Sequence, residues 1–213
     1  MPDLDNPYWW ALQRLVTIKA ATVDDNKTLR AVSGFNTDLN LARTQYSPTI
    51  SDPDVVEWLA AVTAERVVEI DAGAAYWSYL LNQYPNKRVT AYDLRPRRAE
   101  HYPTEILDRQ RLCLRNHPFA TMVCMSDRFP YNSTVFALAK FSGSRAVISC
   151  ERSPYDAGAL KDLLAREWVE ESRMGSGLRR WDEPRVVYEF RRKTFWNQPT
   201  RLNMPIYTPG GGP

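Results

Sequence analysis

The stretch Val67-Val68-Glu69-Ile70-Asp71-Ala72-Gly73-Ala74-Ala75-Tyr76-Trp77, followed by Tyr92-Asp93, holds the residues best placed to do chemistry. Its pattern predicts a buried strand, a tight turn, a helix, and a second strand ending in an acid. That is the first βαβ half of a nucleotide-binding α/β domain. A carboxylate at the tip of the second strand can accept hydrogen bonds from two vicinal hydroxyls at once, so Asp93 is placed to hold a ribose. Only Gly73 is a glycine in a turn of a kind that usually carries two or three.

A second candidate edge lies at Ser126-Asp127-Arg128-Phe129-Pro130-Tyr131. Asp127 and Tyr131 are its candidates for polar or catalytic work, and Asp127 beside Arg128 is equally the pattern of a surface ion pair. If a reaction needed a base, Asp127, His117 or Tyr131 could serve; in Asn116-His117-Pro118 the histidine reads first as a loop residue. With only His101 and His117 present, and no Cys/His spacing of the zinc type, no metal site is expected. A phosphate-cradling Gly-x-x-x-x-Gly-Lys loop is missing, which argues against an NTPase, and the turn fits the nicotinamide fingerprint poorly.

Helices and strands must carry these residues to a common edge. A helix is expected over residues 7–21, with Pro7 in its first turn and an apolar stripe. Its Tyr8-Trp9-Trp10 cluster is read either as an anchor onto the main domain or as an interface with another chain. Residues 22–53 suggest a short helix and a loop. Asp52 caps a helix from Pro53 to about Thr63, with Val55, Val56, Leu59 and Val62 inward. Strands are expected at 67–70, 88–92, 119–125 and 145–150, and helices at 76–84, 134–140 and 156–167. Residues 94–111 are polar, with a helix placed around Thr104 to Arg109. The strict alternation of 185–192 reads as a half-exposed or edge strand. Alternating elements of this kind imply a mainly parallel sheet flanked by helices.

The chain has 213 residues, enough for one α/β domain with an N-terminal helical extension. The division expected is 1–50 for that extension, 51–193 for the α/β domain, and 194–213 for an extended or disordered tail with four prolines and a Gly-Gly-Gly run. No apolar run is long enough to span a membrane, and the acidic start lacks a signal pattern, so the sequence predicts a cytoplasmic protein. Cys113, Cys124 and Cys150 read as small buried hydrophobes in a reducing compartment. The net charge is +3, and six lysines among 28 basic residues leave 22 arginines. The arginine clusters read as solvated edges more than as a nucleic-acid patch.

These residues resemble the class I S-adenosylmethionine-dependent methyltransferases. Their first motif, acid-x-Gly-x-Gly-x-Gly, would stand here as Glu69-Ile70-Asp71-Ala72-Gly73-Ala74-Ala75, and the order of elements resembles theirs over residues 46–193. The resemblance implies a Rossmann-like, methyltransferase-type α/β fold with S-adenosylmethionine as cofactor. It implies that Glu69 supports the loop near the methionine end, that Gly73 lets the backbone approach the cofactor, and that Asp93 takes both ribose hydroxyls. Tyr92 and Leu94 would flank the adenine. Asp71 replaces the first glycine; it would attract an ammonium or sulfonium and repel the methionine carboxylate. Ala75 replaces the third, expected to act by widening the helix–strand packing. Function then divides between an S-adenosylmethionine-dependent methyltransferase of unknown acceptor and a catalytically inactive domain of that type serving as a binding or assembly module. Partners would be a methyl acceptor or a protein; nucleic acid is possible but not favoured.

Overall fold

The computed structural model describes residues 4–21, 38, 40–49, 51–94, 104–106, 113–126, 130–175 and 185–193. Helices α1 (Pro7–Ala21), α2 (residues 40–45), α3 (Pro53–Val62) and α4 (Tyr76–Asn82) precede or interleave with strands β1 (Arg66–Ile70) and β2 (Arg88–Asp93). Then come β3 (Thr104–Ile106), β4 (Ala120–Cys124), α5 (Asn132–Lys140), β5 (Arg145–Cys150), α6 (Gly158–Glu167), β6 (Trp168–Gly175) and β7 (Val186–Arg192). The strands form one seven-stranded sheet in the order β3-β2-β1-β4-β5-β7-β6.

The helix starts follow local chemistry. Asp52 caps α3 by accepting from the Asp54 N–H at 2.9 Å, and Pro53 takes the first turn, where its missing N–H costs nothing. Asn6 does the same for α1: its Oδ1 accepts from the Trp9 N–H at 3.0 Å.

β1 pairs in parallel with β2 and β4, β4 with β5, and β2 with β3. Every residue of β4 is buried, as are all but the first of β1 and β5, because helices cover both faces. On one face Val67, Val89, Val123 and Val147 meet Tyr8 and Leu12 of α1, Val56 and Leu59 of α3, and Tyr76, Trp77, Leu80 and Leu81 of α4. On the other, Val68, Ile70, Met122 and Ile148 meet Leu138 of α5 and Leu160, Leu163 and Leu164 of α6. Each large apolar side chain fully withdrawn from water stabilises the fold by about 1.5–3 kcal/mol before chain entropy is set against it.

Tyr8 anchors α1 to the domain, its ring stacked on Tyr46 at 5.1 Å and edge-on to Tyr76 at 5.9 Å. Trp10 of the same cluster stays 52% exposed. Cys124 and Cys150 are buried and not joined in a disulfide; the Cys113 side chain lies outside the described residues.

Two expectations need correction. Thr104–Ile106 is a strand, not a helix: it adds in parallel to β2, pairing Ala91 with Thr104 and Asp93 with Ile106. β-branched Thr104 and Ile106 suit an extended edge, and the pairing on offer outweighs helical periodicity in so short a run. β7 is neither half-exposed nor an edge. It lies between β5 and β6, antiparallel to both, with Val187, Tyr188, Glu189 and Phe190 buried. The real edge is β6, a strand that the sequence conceals because Glu170, Glu171, Ser172 and Arg173 carry low strand propensity. Its alternating burial begins with buried Trp168, against which the Arg192 guanidinium lies at 4.5 Å. The expected tail, 194–213, lies outside the described residues.

Candidate functional site

The sheet order reverses at β1: β2 and β3 lie on one side of it, β4 and β5 on the other. In open parallel sheets, ligands bind outside the carboxyl ends of the strands at such a reversal. The β1–α4 turn sits there. Asp71, Gly73 and Ala75 all adopt left-handed backbone, with φ of 53°, 59° and 57°. These are the three alternate positions at which glycines would be expected, so the turn keeps a glycine-loop path with two of the glycines replaced. A Cβ added at Gly73 would meet nothing within 4 Å, so this glycine answers to backbone conformation and not to crowding.

Three hydrogen bonds fix the turn. Ala75 N–H donates to the Ala72 carbonyl at 2.7 Å, and Ala72 N–H to the Tyr92 carbonyl at 3.1 Å. Gly73 N–H donates to Asp93 Oδ2 at 2.7 Å. Beneath them Ala72, Ala75 and Ala91 form a small buried cluster that lets the turn lie close on β2. The Ala75 methyl group fills that cluster, and its burden is a left-handed φ on a non-glycine residue.

Glu69, near the end of β1, is fully buried. Its Oε2 accepts from Ser78 N–H at 2.8 Å and from the Ser78 hydroxyl, while Oε1 is buried with no hydrogen-bond partner among the described residues. Burial pushes its carboxyl up to about 7, Ser78 opposes that, and the negative Asp93 adds to it. Asp93 is half-buried at the tip of β2.

Beside this turn lies a cleft of about 240 Å³, lined by Ile70, Asp71, Leu94 and, from the first two turns of α5, Asn132, Ser133, Phe136 and Ala137. Leu94 is thus in the cleft. Tyr92 shares the sheet face of Ile70 but does not line the cleft; its hydroxyl lies 3.2 Å from His117 Nε2 and its ring edge-on to the imidazole. His117 is engaged by Tyr92 and does not line the cleft.

The second candidate edge divides. Asp127 lies outside the described residues. Tyr131 is buried, with φ of 62°; its hydroxyl donates to the Arg152 carbonyl at 3.0 Å and accepts from the Arg152 N–H at 2.9 Å. Burial pushes the phenol up to about 12. Its geometry ties the start of α5 to the loop after β5.

Sequence reasoning missed Ser78, which holds Glu69, and the α5 side chains in the cleft. Asn132 and Phe136, like Ser133 and Ala137, are four apart, so helical periodicity alone places each pair on one face. Among the described residues no group of His, Cys, Asp or Glu could hold a metal ion.

No family model matches this chain, and no curated protein matches its sequence. Solved structures do. The mitomycin 7-O-methyltransferase MmcR is similar over 88% of this chain and 69% of its own, at 14% identity and a TM-score of 0.47. TrmK of M. capricolum, solved with S-adenosylhomocysteine, covers 65% and 68% at 11% identity and 0.49. The magnesium protoporphyrin IX methyltransferase of Synechocystis PCC 6803, solved with S-adenosylmethionine, covers 66% and 77% at 15% identity and 0.48. The fold is an α/β, Rossmann-like one, a mainly parallel sheet flanked by helices. The chain's own strand order, with β7 inserted antiparallel between β5 and β6, carries the architecture. Within this fold, the β1–α4 turn and Asp93 occupy the reversal point.

Proposed function

We propose that the chain is an S-adenosylmethionine-dependent methyltransferase, with residues 51–193 as its working domain, 1–50 as a helical extension and 194–213 as a tail. The observation that carries this reading is the hydrogen bond from Gly73 N–H to Asp93 Oδ2, which fixes a carboxylate at the carboxyl edge of the sheet beside the reversal point. Asp93 would take the ribose hydroxyls, Gly73 would let the backbone approach, and Leu94 would lie against the adenine. The orphaned Oε1 of Glu69 is an acceptor that a cationic group at the methionine end would satisfy.

When bound, the cofactor supplies a methyl group on a good leaving group, so transfer rests on proximity and alignment more than on acid–base help. A site with few titratable groups suits that chemistry. Asp127 would be the base for an acceptor that needs one. Tyr131, with its phenol held by Arg152 and raised to about 12, would position the acceptor edge instead of taking protons. The acceptor is a small molecule, protein or RNA that this site must expose to the sulfonium.

One observation favours the other reading, a binding module without catalysis. The cleft, at about 240 Å³, falls below the roughly 300–1,000 Å³ usual for small-molecule sites, and Asp71 lines it. Thermal unfolding with S-adenosylhomocysteine separates the two. A rise in midpoint with the wild-type chain that is lost in Asp93→Ala supports the enzyme. No rise for the wild type, with a rise in Asp71→Gly, supports a module that has outgrown its cofactor.

A further inference from the structure

We propose that the groove between the start of α1 and α3 is a docking site for an arginine side chain of a partner polypeptide. The groove, about 460 Å³, is larger than the cleft at the sheet edge and is lined by Leu4, Trp9, Trp10, Asp54, Glu57 and Tyr84 among others. The inference is independent of the methyltransferase reading.

Its walls are two kinds of surface that meet in few other ligand classes. Trp9, Trp10 and Tyr84 supply aromatic rings, and Trp10 leaves half its surface to solvent. Asp54 and Glu57 lie three apart on α3, both exposed, so they are neighbours on one helix face. No lysine, arginine or histidine among the described residues forms an ion pair with either one. Two like charges at that spacing repel, and a cation between them would relieve the repulsion. Glu57 lies close enough to Tyr84 for its charge to oppose the phenol's ionisation, second to burial as a cause. The chain as a whole carries +3, so the negative groove runs against its general charge.

The site is also held in shape. Asn6 Oδ1 accepts from the Trp9 N–H, from the Ser51 hydroxyl at 2.9 Å and from the Tyr76 hydroxyl at 2.7 Å, which locks the start of α1 to α3 and α4.

Charge complementarity selects the occupant. A phosphate would be repelled, and an apolar side chain would desolvate two carboxylates without compensation. A guanidinium stacks on aromatic faces and donates in a plane to carboxylates, which an ammonium cannot match.

Fluorescence anisotropy with the full-length protein tests this, using a labelled Gly-Arg-Gly-Arg-Gly peptide, the same peptide with citrulline for arginine, and a lysine version. The arginine peptide is expected to bind, with the citrulline and lysine versions weaker by roughly tenfold or more. Glu57→Gln and Trp10→Ala, both at exposed positions, should each weaken binding by roughly tenfold while leaving the unfolding midpoint unchanged. Failure of the arginine peptide to bind, equal binding of the citrulline or lysine peptide, or indifference to both substitutions in folded protein would overturn the proposal.

Discussion

Asp93 Oδ2 accepts the Gly73 amide proton at 2.7 Å, so the tip of β2 and the turn after β1 form one unit although 20 residues separate them in sequence. Hydrogen bonds to an ionised acceptor are worth about 1.5–3 kcal/mol, and partial exposure places this one at the lower end. Asp93→Ala should therefore lower unfolding stability by about 1–2 kcal/mol, read from urea midpoints. A destabilisation too small to detect would mean the turn holds its path without the carboxylate.

The left-handed residues of the turn should respond unequally. Gly73→Ala meets no atoms, so its cost is backbone strain alone, about 1 kcal/mol, and Gly73→Asn should recover part of it because Asn tolerates that conformation. Ala75→Gly relieves similar strain but loses a buried methyl, worth about 0.8 kcal/mol, and adds freedom to the unfolded chain. It should be neutral to within about 1 kcal/mol. Denaturant titrations of the three variants check the pattern.

Glu69 gives the fold a pH signature. Its carboxyl is raised from an ordinary 4.5 to about 7, so the folded chain holds a proton that the unfolded chain has already released. The stabilising term is fully present below about 4.5 and is lost as pH climbs through about 7. Stability should fall across that window, by at most on the order of 3 kcal/mol from this group. Glu69→Gln should flatten the profile between those limits; an unchanged slope would place the titration elsewhere.

Tyr131→Phe removes the one hydroxyl that satisfies both the N–H and the carbonyl of Arg152. Losing both hydrogen bonds should cost about 1–3 kcal/mol. If Tyr131 positions and does not titrate, methyl-transfer assays on this variant should show a changed KM or kcat with the same pH profile as wild type below about pH 10.

Much of the architecture is legible in the residues. Val67–Ile70, Ala120–Cys124 and Arg145–Cys150 announce themselves as strands because burial on both faces leaves near-continuous apolar runs, and Asp52-Pro53 marks a helix start through local capping chemistry. Long-range pairing is less visible. Thr104–Ile106 and Trp168–Gly175 are strands because β2 and β7 offer them backbone partners, and nothing in three or eight residues of mixed polarity encodes a neighbour distant in sequence. The candidate site divides along the same line. Asp93 is legible from the strand–turn–helix–strand pattern, and Glu69 and Gly73 through the motif resemblance, whereas the Ser78 contact, the Tyr131–Arg152 tie and the α5 wall of the cleft depend on how helices settle against the sheet.

Calorimetric titration of the full chain with S-adenosylmethionine tests the central reading most directly. The account predicts saturable binding at micromolar levels in the wild type and its loss in Asp93→Ala at unchanged fold. Absence of heat up to millimolar cofactor in the wild type, with binding gained in Asp71→Gly, would contradict it.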